Sequence, residues 1–342
     1  MKMKLLYSGL LYCLILIATS VFFPLSVILY VCGAGVFFCA CIASGLLLNK
    51  AVKHTWWFRS SIPDLNNYPT NEWYREHEER NYDVVNIGSS SAKRAFDYSG
   101  LRIKAFNWAE QPQSLSYGFK ILKTYFSILK KGGTVIIPLC PFSGLDTGRV
   151  WHNGVNDRYF YLLDHVLIEN YSGVALRRNY PLIADPIRSM KELVKNILKK
   201  RPYEKKDSGV FVDDSDRWIK GWLSEFGITD LEGSFSPENE KGREKRIKLL
   251  SDIIGFCIER DLKPVIVIPP MHPTLSSKFS ETFRENYIYS FIRAANKKGI
   301  PFLSYIDDTR FKEDRLYRNS FFLNEVGAKK FTNIVLKDIG LI

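Results

Sequence analysis

Residues 5–48 carry no charge and consist mainly of Leu, Ile, Val, Phe, Ala, Gly and Cys. A helix that is apolar all round belongs in lipid or a deep core rather than on a wet surface. As one helix the stretch would measure about 65 Å, roughly twice the hydrocarbon thickness of about 30 Å. Pro24, within "VFFPLS", interrupts it, so the pattern predicts two membrane helices, about 5–22 and 25–48, joined as a hairpin. A cleaved signal peptide fits less well, because its apolar core runs to about 7–15 residues and no small-residue cleavage site follows here. Lys2 and Lys4 precede the first span, and Lys50, Lys53 and Arg59 follow the second. By the positive-inside rule both ends are cytoplasmic. Residues 51–80 form a juxtamembrane connector. In it Trp56, Trp57 and Phe58 serve either as an interfacial belt or as aromatic packing on the domain.

From Tyr82 the pattern changes to short apolar runs separated by helical stretches. "DVVNIG", "IKAFNWA", "TVIIPLC", "KPVIVIPP" and "PFLSYID" read as strands by length and β-branched content. Between the second and third, residues 111–133 read as a helix with Leu115, Phe119, Leu122, Phe126 and Leu129 on one face and Gly132 as its stop. Further helices are expected over 244–261, 287–299 and 326–340. Wholly apolar strands alternating with helices predict a mostly parallel sheet covered on both faces, a three-layer α/β/α sandwich. The domain then spans 81–342, with an insertion at about 144–240 where the alternation stops. Inside the insertion, residues 186–200 put Ile187, Met190, Val194 and Ile197 on one helical face and Lys191, Lys195, Lys199 and Lys200 elsewhere. Helices lying on membranes share this pattern with helices packed on a domain beneath a solvated basic face.

With 46% apolar residues in 342, the chain can bury a sizeable core. Its formal net charge of +12 is scattered among acids and comes with no nucleic-acid-binding motif. Membrane lipid is therefore the expected partner, and nucleic acid is not. Four of the six cysteines, Cys13, Cys32, Cys39 and Cys41, fall in the apolar segment, leaving Cys140 and Cys257. No Cys-x-x-Cys spacing exists, and neither metal nor cofactor is expected.

The chemistry concentrates at "VVNIGSSSAKR". A strand followed by Gly88 and three serines lies where open parallel sheets take ligands. "GSSSAK" has neither the Walker nor the GxGxxG spacing, so a phosphate cradle is the weaker choice. This segment resembles the first block of the SGNH/GDSL hydrolase superfamily, especially its membrane-anchored members associated with bacterial surface-polysaccharide acylation. Gly88 matches, Ser89 replaces an Asp, and Ser90 falls on the nucleophile. "FNWAEQPQS" is similar to the second block, keeping Asn107 while Ala109 and Gln113 stand where glycines are expected. "NSFFLNEVGAKKFT" resembles the last block through Leu323, Asn324, Gly327, Ala328, Phe331 and Thr332. Asn319 occupies its Asp position and Phe322 its His position. The resemblance covers most of 82–142 and 245–342. It implies Ser90 as nucleophile, with Gly88, Ser89, Asn107 and Gln113 around an oxyanion or substrate.

A serine nucleophile needs a base within hydrogen-bond reach. Of the five histidines, His272 follows the strand "PVIVIPP" and so shares the functional edge with Ser90, while Asp307 and Asp308 could orient it. Two functions follow from the resemblance. One is a membrane-anchored serine esterase or O-acyltransferase acting on a surface polysaccharide or its precursor, with Ser90 and His272 catalytic. The other is an inactive SGNH-like protein that binds a glycan or works beside membrane-bound acyltransferase and assembly proteins. Both put the chain in the bacterial cytoplasmic membrane. Flanking charge favours the domain inside, and exported polymers favour it outside.

Overall fold

A computed structural model describes residues 25–62, 81–111, 113–146, 156–199, 210–232 and 235–342. The expected first span, residues 5–22, lies outside the described residues, as do His77 and His152. In chain order the main elements are α1 (Leu25–Lys53), α2 (Trp56–Arg59), β1 (Tyr82–Asn86), α3 (Ser90–Ala95), β2 (Ala105–Asn107), α4 (Leu115–Tyr125) and β3 (Leu129–Pro138). The insertion supplies α5 (Tyr171–Asn179), α6 (Pro181–Ala184), α7 (Pro186–Lys199) and α8 (Ser215–Phe226). Then come α9 (Pro237–Ile258), β4 (Lys263–Ile268), α10 (Ser290–Ala295), β5 (Phe302–Ser304) and α11 (Glu325–Asp338). The chain forms two compact units, one within Met1–Pro63 and Asn170–Glu204, the other within Asp64–Glu169 and Lys205–Ile342. About a third of the insertion thus groups with the N-terminal helix.

In the first unit α1 is long and apolar enough to cross a membrane. Its 29 residues span about 44 Å at 1.5 Å each. Its end is tied down by polar groups. The Asn49 amide donates to Asn179 O at 2.8 Å, and its oxygen accepts the Leu182 N–H at 3.2 Å. Thr55 caps α2, burying Phe58, and the Arg178 guanidinium sits over the Phe58 ring while bonding Ser61 Oγ at 2.7 Å. Of the three aromatic residues after the span, Phe58 is therefore packing within this unit.

The second unit is built on a five-stranded parallel sheet of order β2-β1-β3-β4-β5. All five expected strands occur. Val84, Ile136, Val265 and Val267 join Phe96, Phe331, Val335 and Leu336 in one buried cluster, which seats α11 against the sheet. α9 packs on β4 and α4. Fully burying each such side chain contributes about 1.5–3 kcal/mol, which is why wholly apolar strands specify this arrangement.

The helix expected over 111–133 ends at Tyr125, followed by a single 3-10 turn. Leu129 already pairs with Tyr82 of β1, and sheet hydrogen bonding overrides helix propensity from there. Gly132 adopts φ +75 inside β3, where the pairing register shifts, instead of ending the helix. The buried face of α4 is Tyr117, Gly118, Ile121, Leu122 and Tyr125. Phe119 and Phe126, expected on that face, pack edge-on against Phe256 of α9.

Candidate ligand cleft at the sheet edge

With β2 on one side of β1 and β3 on the other, strand order reverses between β1 and β3, and the crevice beyond their carboxyl ends is where such sheets take ligands. A cleft of about 240 Å³ lies there, lined by Gly88, Ser89 and Ser90 after β1 and by Leu139 and Cys140 after β3. Gly88 has φ +130, and a Cβ on it would stand 2.6 Å from Ala92 Cβ. Only glycine lets the chain turn this tightly from β1 into α3.

The three serines have different roles. Ser91 is buried, whereas Ser89 and Ser90 line the cleft. Ser89 begins α3 without capping it through its side chain. Among the described residues Ser90 Oγ forms no hydrogen bond. The first amides of α3 likewise have no acceptor within the helix. This is unused polar capacity beside a pocket.

The opposite lining is aromatic, with tryptophans from the insertion set against Phe142 and Phe321 outside it. Trp222 of α8 lies 4.8 Å from Phe142 and 4.9 Å from Phe321 between ring centroids, and Trp218 lies 4.9 Å from Phe321. Trp218 is fixed further by its indole N–H to Asp214 Oδ1 at 3.0 Å. Sequence reasoning gave this helix no role. The i, i+4 tryptophan pair in "RWIKGWLSEF" was the signal. Two other polar groups line the cleft. Burial pushes the Cys140 thiol up, which disfavours the thiolate, and Ser143 Oγ bonds its sulfur at 3.4 Å. Arg246 Nε lies 3.1 Å from the Asp146 carboxylate as an ion pair, but makes no hydrogen bond among the described residues.

Asn107 and Gln113 are spent on scaffolding. Asn107 Nδ2 donates to Phe96 O at 3.0 Å, and its oxygen accepts from Asn86 Nδ2 at 2.7 Å and from the Ala109 N–H at 3.0 Å. It clamps β1, β2 and the end of α3 together and has no N–H aimed at an oxyanion. Gln113 lines the cleft, but it donates to Trp108 O at 3.3 Å and accepts from the Tyr159 hydroxyl at 3.1 Å.

His272 is engaged elsewhere. The Thr274 N–H donates to Nδ1 at 3.3 Å, which leaves Nε2 as the N–H donor to Asp314 Oδ1 at 3.0 Å. The ring packs 4.2 Å from Phe211. No hydrogen bond joins it to Ser90 among the described residues, and His272 does not line the cleft. Neither expected orienting acid meets it: Asp307 pairs with Arg284, and Asp308 with Arg310. Asp314, not singled out in the sequence, takes that position. Asn319 and Phe322, where the resemblance expects Asp and His, also have structural tasks. Asn319 Oδ1 accepts the N–H groups of Phe321 at 3.1 Å and Phe322 at 2.8 Å, and its amide donates to Asp214 at 3.3 Å. Phe322 is buried against Trp218.

One buried charge escaped sequence reasoning. Glu110, just after β2, is 2% exposed and lies 3.3 Å from both Lys93 Nζ and Arg158 Nη1. Desolvation lowers the Lys93 pKa, and Glu110 opposes that shift. An acid directly following an apolar strand, in "NWAEQ", was the available clue. Compared with protein-family models and with curated proteins, the chain matches none.

Proposed function

We propose that this chain is a membrane-anchored protein of SGNH-like fold that uses the cleft between β1 and β3 to hold an acyl group or acylated sugar unit of a surface polysaccharide, without histidine-driven serine hydrolysis. The observation that carries the reading is the cleft itself. It sits at the strand-order reversal, combining the Ser90 hydroxyl, which forms no hydrogen bond among the described residues, with an aromatic lining from α8. Such a surface suits a ligand with a polar end and an apolar or ring-shaped body. The sheet is then the middle layer of an α/β/α sandwich, because right-handed crossovers on either side of a strand-order reversal put helices on both faces. The exposed apolar surface of α1 supports anchoring in a membrane, and the expected hairpin would add residues 5–22 as a second span.

A serine without a base is a poor nucleophile. Asn319 and Phe322 stand where the resemblance requires acid and base, and both ring nitrogens of His272 are taken by Thr274 and Asp314. The esterase or O-acyltransferase reading is the second one, favoured by the position of Ser90 in the cleft. In that chemistry Ser90 Oγ would attack an acyl carbonyl and pass its proton to a base, while the N–H groups at the start of α3 meet the developing oxyanion.

A fluorophosphonate probe applied to the detergent-solubilised full chain separates the two. The binding reading expects no labelling of wild type, together with a change in tryptophan fluorescence on titration with an O-acetylated oligosaccharide that disappears in Trp222→Ala. Labelling lost in Ser90→Ala would replace it with the esterase reading. Labelling gained only in Asn319→Asp/Phe322→His would identify a serine site that has lost its base.

A further inference from the structure

Helix α7 belongs to the first unit, and its surface divides into three strips. Ser189 and Leu193 are buried, Ser189 donating to Pro181 O at 2.9 Å, and this strip faces the protein. At 100° per residue, Ile187, Met190, Val194, Ile197 and Leu198 share a second arc about 100° wide, and Arg188, Lys191 and Lys195 share a third beside it. The second arc is open: Ile187 is 83%, Ile197 73% and Leu198 77% exposed. Among the described residues of the first unit, no other element covers this face.

What lies beside α7 indicates what covers it. α7 packs against α1 and α6, and α6 is tied to the end of α1 through Asn49 and Leu182. At that same end Leu46 and Leu47 of α1 are also exposed, at 56% and 68%. The apolar arc of α7 is thus exposed on a helix packed against α1, whose own end, with Leu46 and Leu47 bare, becomes polar at Asn49, Lys50 and Lys53. A second cleft of about 230 Å³, lined by Trp56, Trp57, Arg188, Glu192 and Lys195, lies between α2 and α7, with the Arg188 guanidinium 4.8 Å from the Trp57 ring centre. Indole rings beside basic groups at the end of a span are the chemistry of the headgroup layer.

We propose that α7 is an interfacial helix, lying in the boundary between headgroups and acyl chains of an anionic leaflet at the end of α1, with Ile187, Val194 and Ile197 in the acyl region and Arg188, Lys191 and Lys195 among lipid phosphates. This rests on α1 being a membrane span. Apolar burial and charge act together here, since a helix of this kind binds through its apolar arc and is drawn in by anionic lipid.

The test places the photoreactive residue p-benzoylphenylalanine at Phe37, Ile187, Ile197 or Lys312 in the full chain, in nanodiscs of one part phosphatidylglycerol to three parts phosphatidylcholine. After irradiation, lipid adducts are read by mass spectrometry. Adducts are expected at Ile187 and Ile197 as at Phe37, with none at Lys312. In pure phosphatidylcholine the yield at Ile187 and Ile197 should fall several-fold while that at Phe37 holds; equal yields in both lipids overturn the preference for an anionic leaflet. Adducts at Phe37 alone overturn the interfacial helix and leave the span standing. Cross-links from Ile187 or Ile197 to a second protein chain overturn it in favour of a protein interface. No adduct at any position removes the span and the proposal together.

Discussion

Ser90 and His272 both follow strands of one parallel sheet, yet their surroundings differ in kind. Ser90 has an aromatic-lined cleft beside it and, among the described residues, no hydrogen-bond partner for its hydroxyl. His272 has a partner on each ring nitrogen, a phenylalanine ring tilted against it, and a backbone bond to Ser320 at 3.0 Å. Buried polar groups are normally satisfied, so the saturated His272 is explained by folding alone, whereas the half-buried Ser90 hydroxyl stays open to solvent or to a ligand in the cleft. Sharing a sheet edge brings two residues into the same region but does not make them partners.

The largest effect should come from the aromatic lining. Trp222 is 7% exposed and touches Phe142, Trp218, Phe279 and Phe321. Trp222→Ala should cost about 3–5 kcal/mol, as large-to-small changes of buried aromatics do. Denaturant unfolding of the solubilised chain measures it, and a loss well under 1 kcal/mol would mean that α8 does not pack here. Gly88→Ala comes next. A side chain at φ +130 costs about 1–3 kcal/mol in strain, and the 2.6 Å approach to Ala92 adds overpacking. If that variant proves as stable as wild type, the turn presenting Ser89 and Ser90 is not the one described.

His272→Ala sharpens the contrast most directly. It removes the Nε2 bond to Asp314 and the Nδ1 bond from Thr274, at a cost of about 1–3 kcal/mol. Any reactivity of Ser90 should be unchanged. Fluorophosphonate labelling that is present in wild type and absent in folded His272→Ala would join the two sites and erase the distinction.

The sheet was legible because buried parallel strands are apolar throughout, and "DVVNIG", "TVIIPLC" and "KPVIVIPP" carry that signal without ambiguity. The end of α4 was not, since "SILKKGG" reads as helix locally and becomes strand only through pairing with Tyr82. The cleft was half legible. Gly88 to Ser90 announced a turn at a strand end, but its aromatic lining comes from an insertion far along the chain, and no local period shows which loop folds back. Asn107 and Gln113, expected around an oxyanion or substrate, are bonded to backbone and to neighbouring side chains instead. An amide side chain looks the same in sequence whether it faces a substrate or clamps backbone, and only the count of its bonds separates the two.

The smallest effect is electrostatic and lies on the His272 side of the comparison. Asp213 accepts from the Ser215 N–H at 3.0 Å and from the hydroxyls of Ser320 at 2.8 Å and Thr274 at 3.2 Å. These bonds, the Ser215 amide first, hold its carboxyl down at about 2. An unfolded aspartate titrates at about 3.9. The folded value is the lower one, so the contribution to stability is complete above about pH 4 and fades as pH falls toward 2. Asp213 is exposed to solvent, which screens the charge and keeps the effect modest. Asp214, Asp314 and His272 stand in the same network, and carboxyls elsewhere, Asp83 and Asp308, are also held low, so acid sensitivity of the wild type alone is not diagnostic. The informative quantity is the difference from Asp213→Asn, which keeps an acceptor oxygen but cannot titrate. Urea midpoints followed by tryptophan fluorescence at pH 4 and at pH 2.5 should drop further in wild type than in the variant. Equal drops would show that the Asp213 bonds contribute nothing in solution, and the loop carrying Ser320 would then be held by its bonds to Asp214 and His272 and by its aromatic contacts.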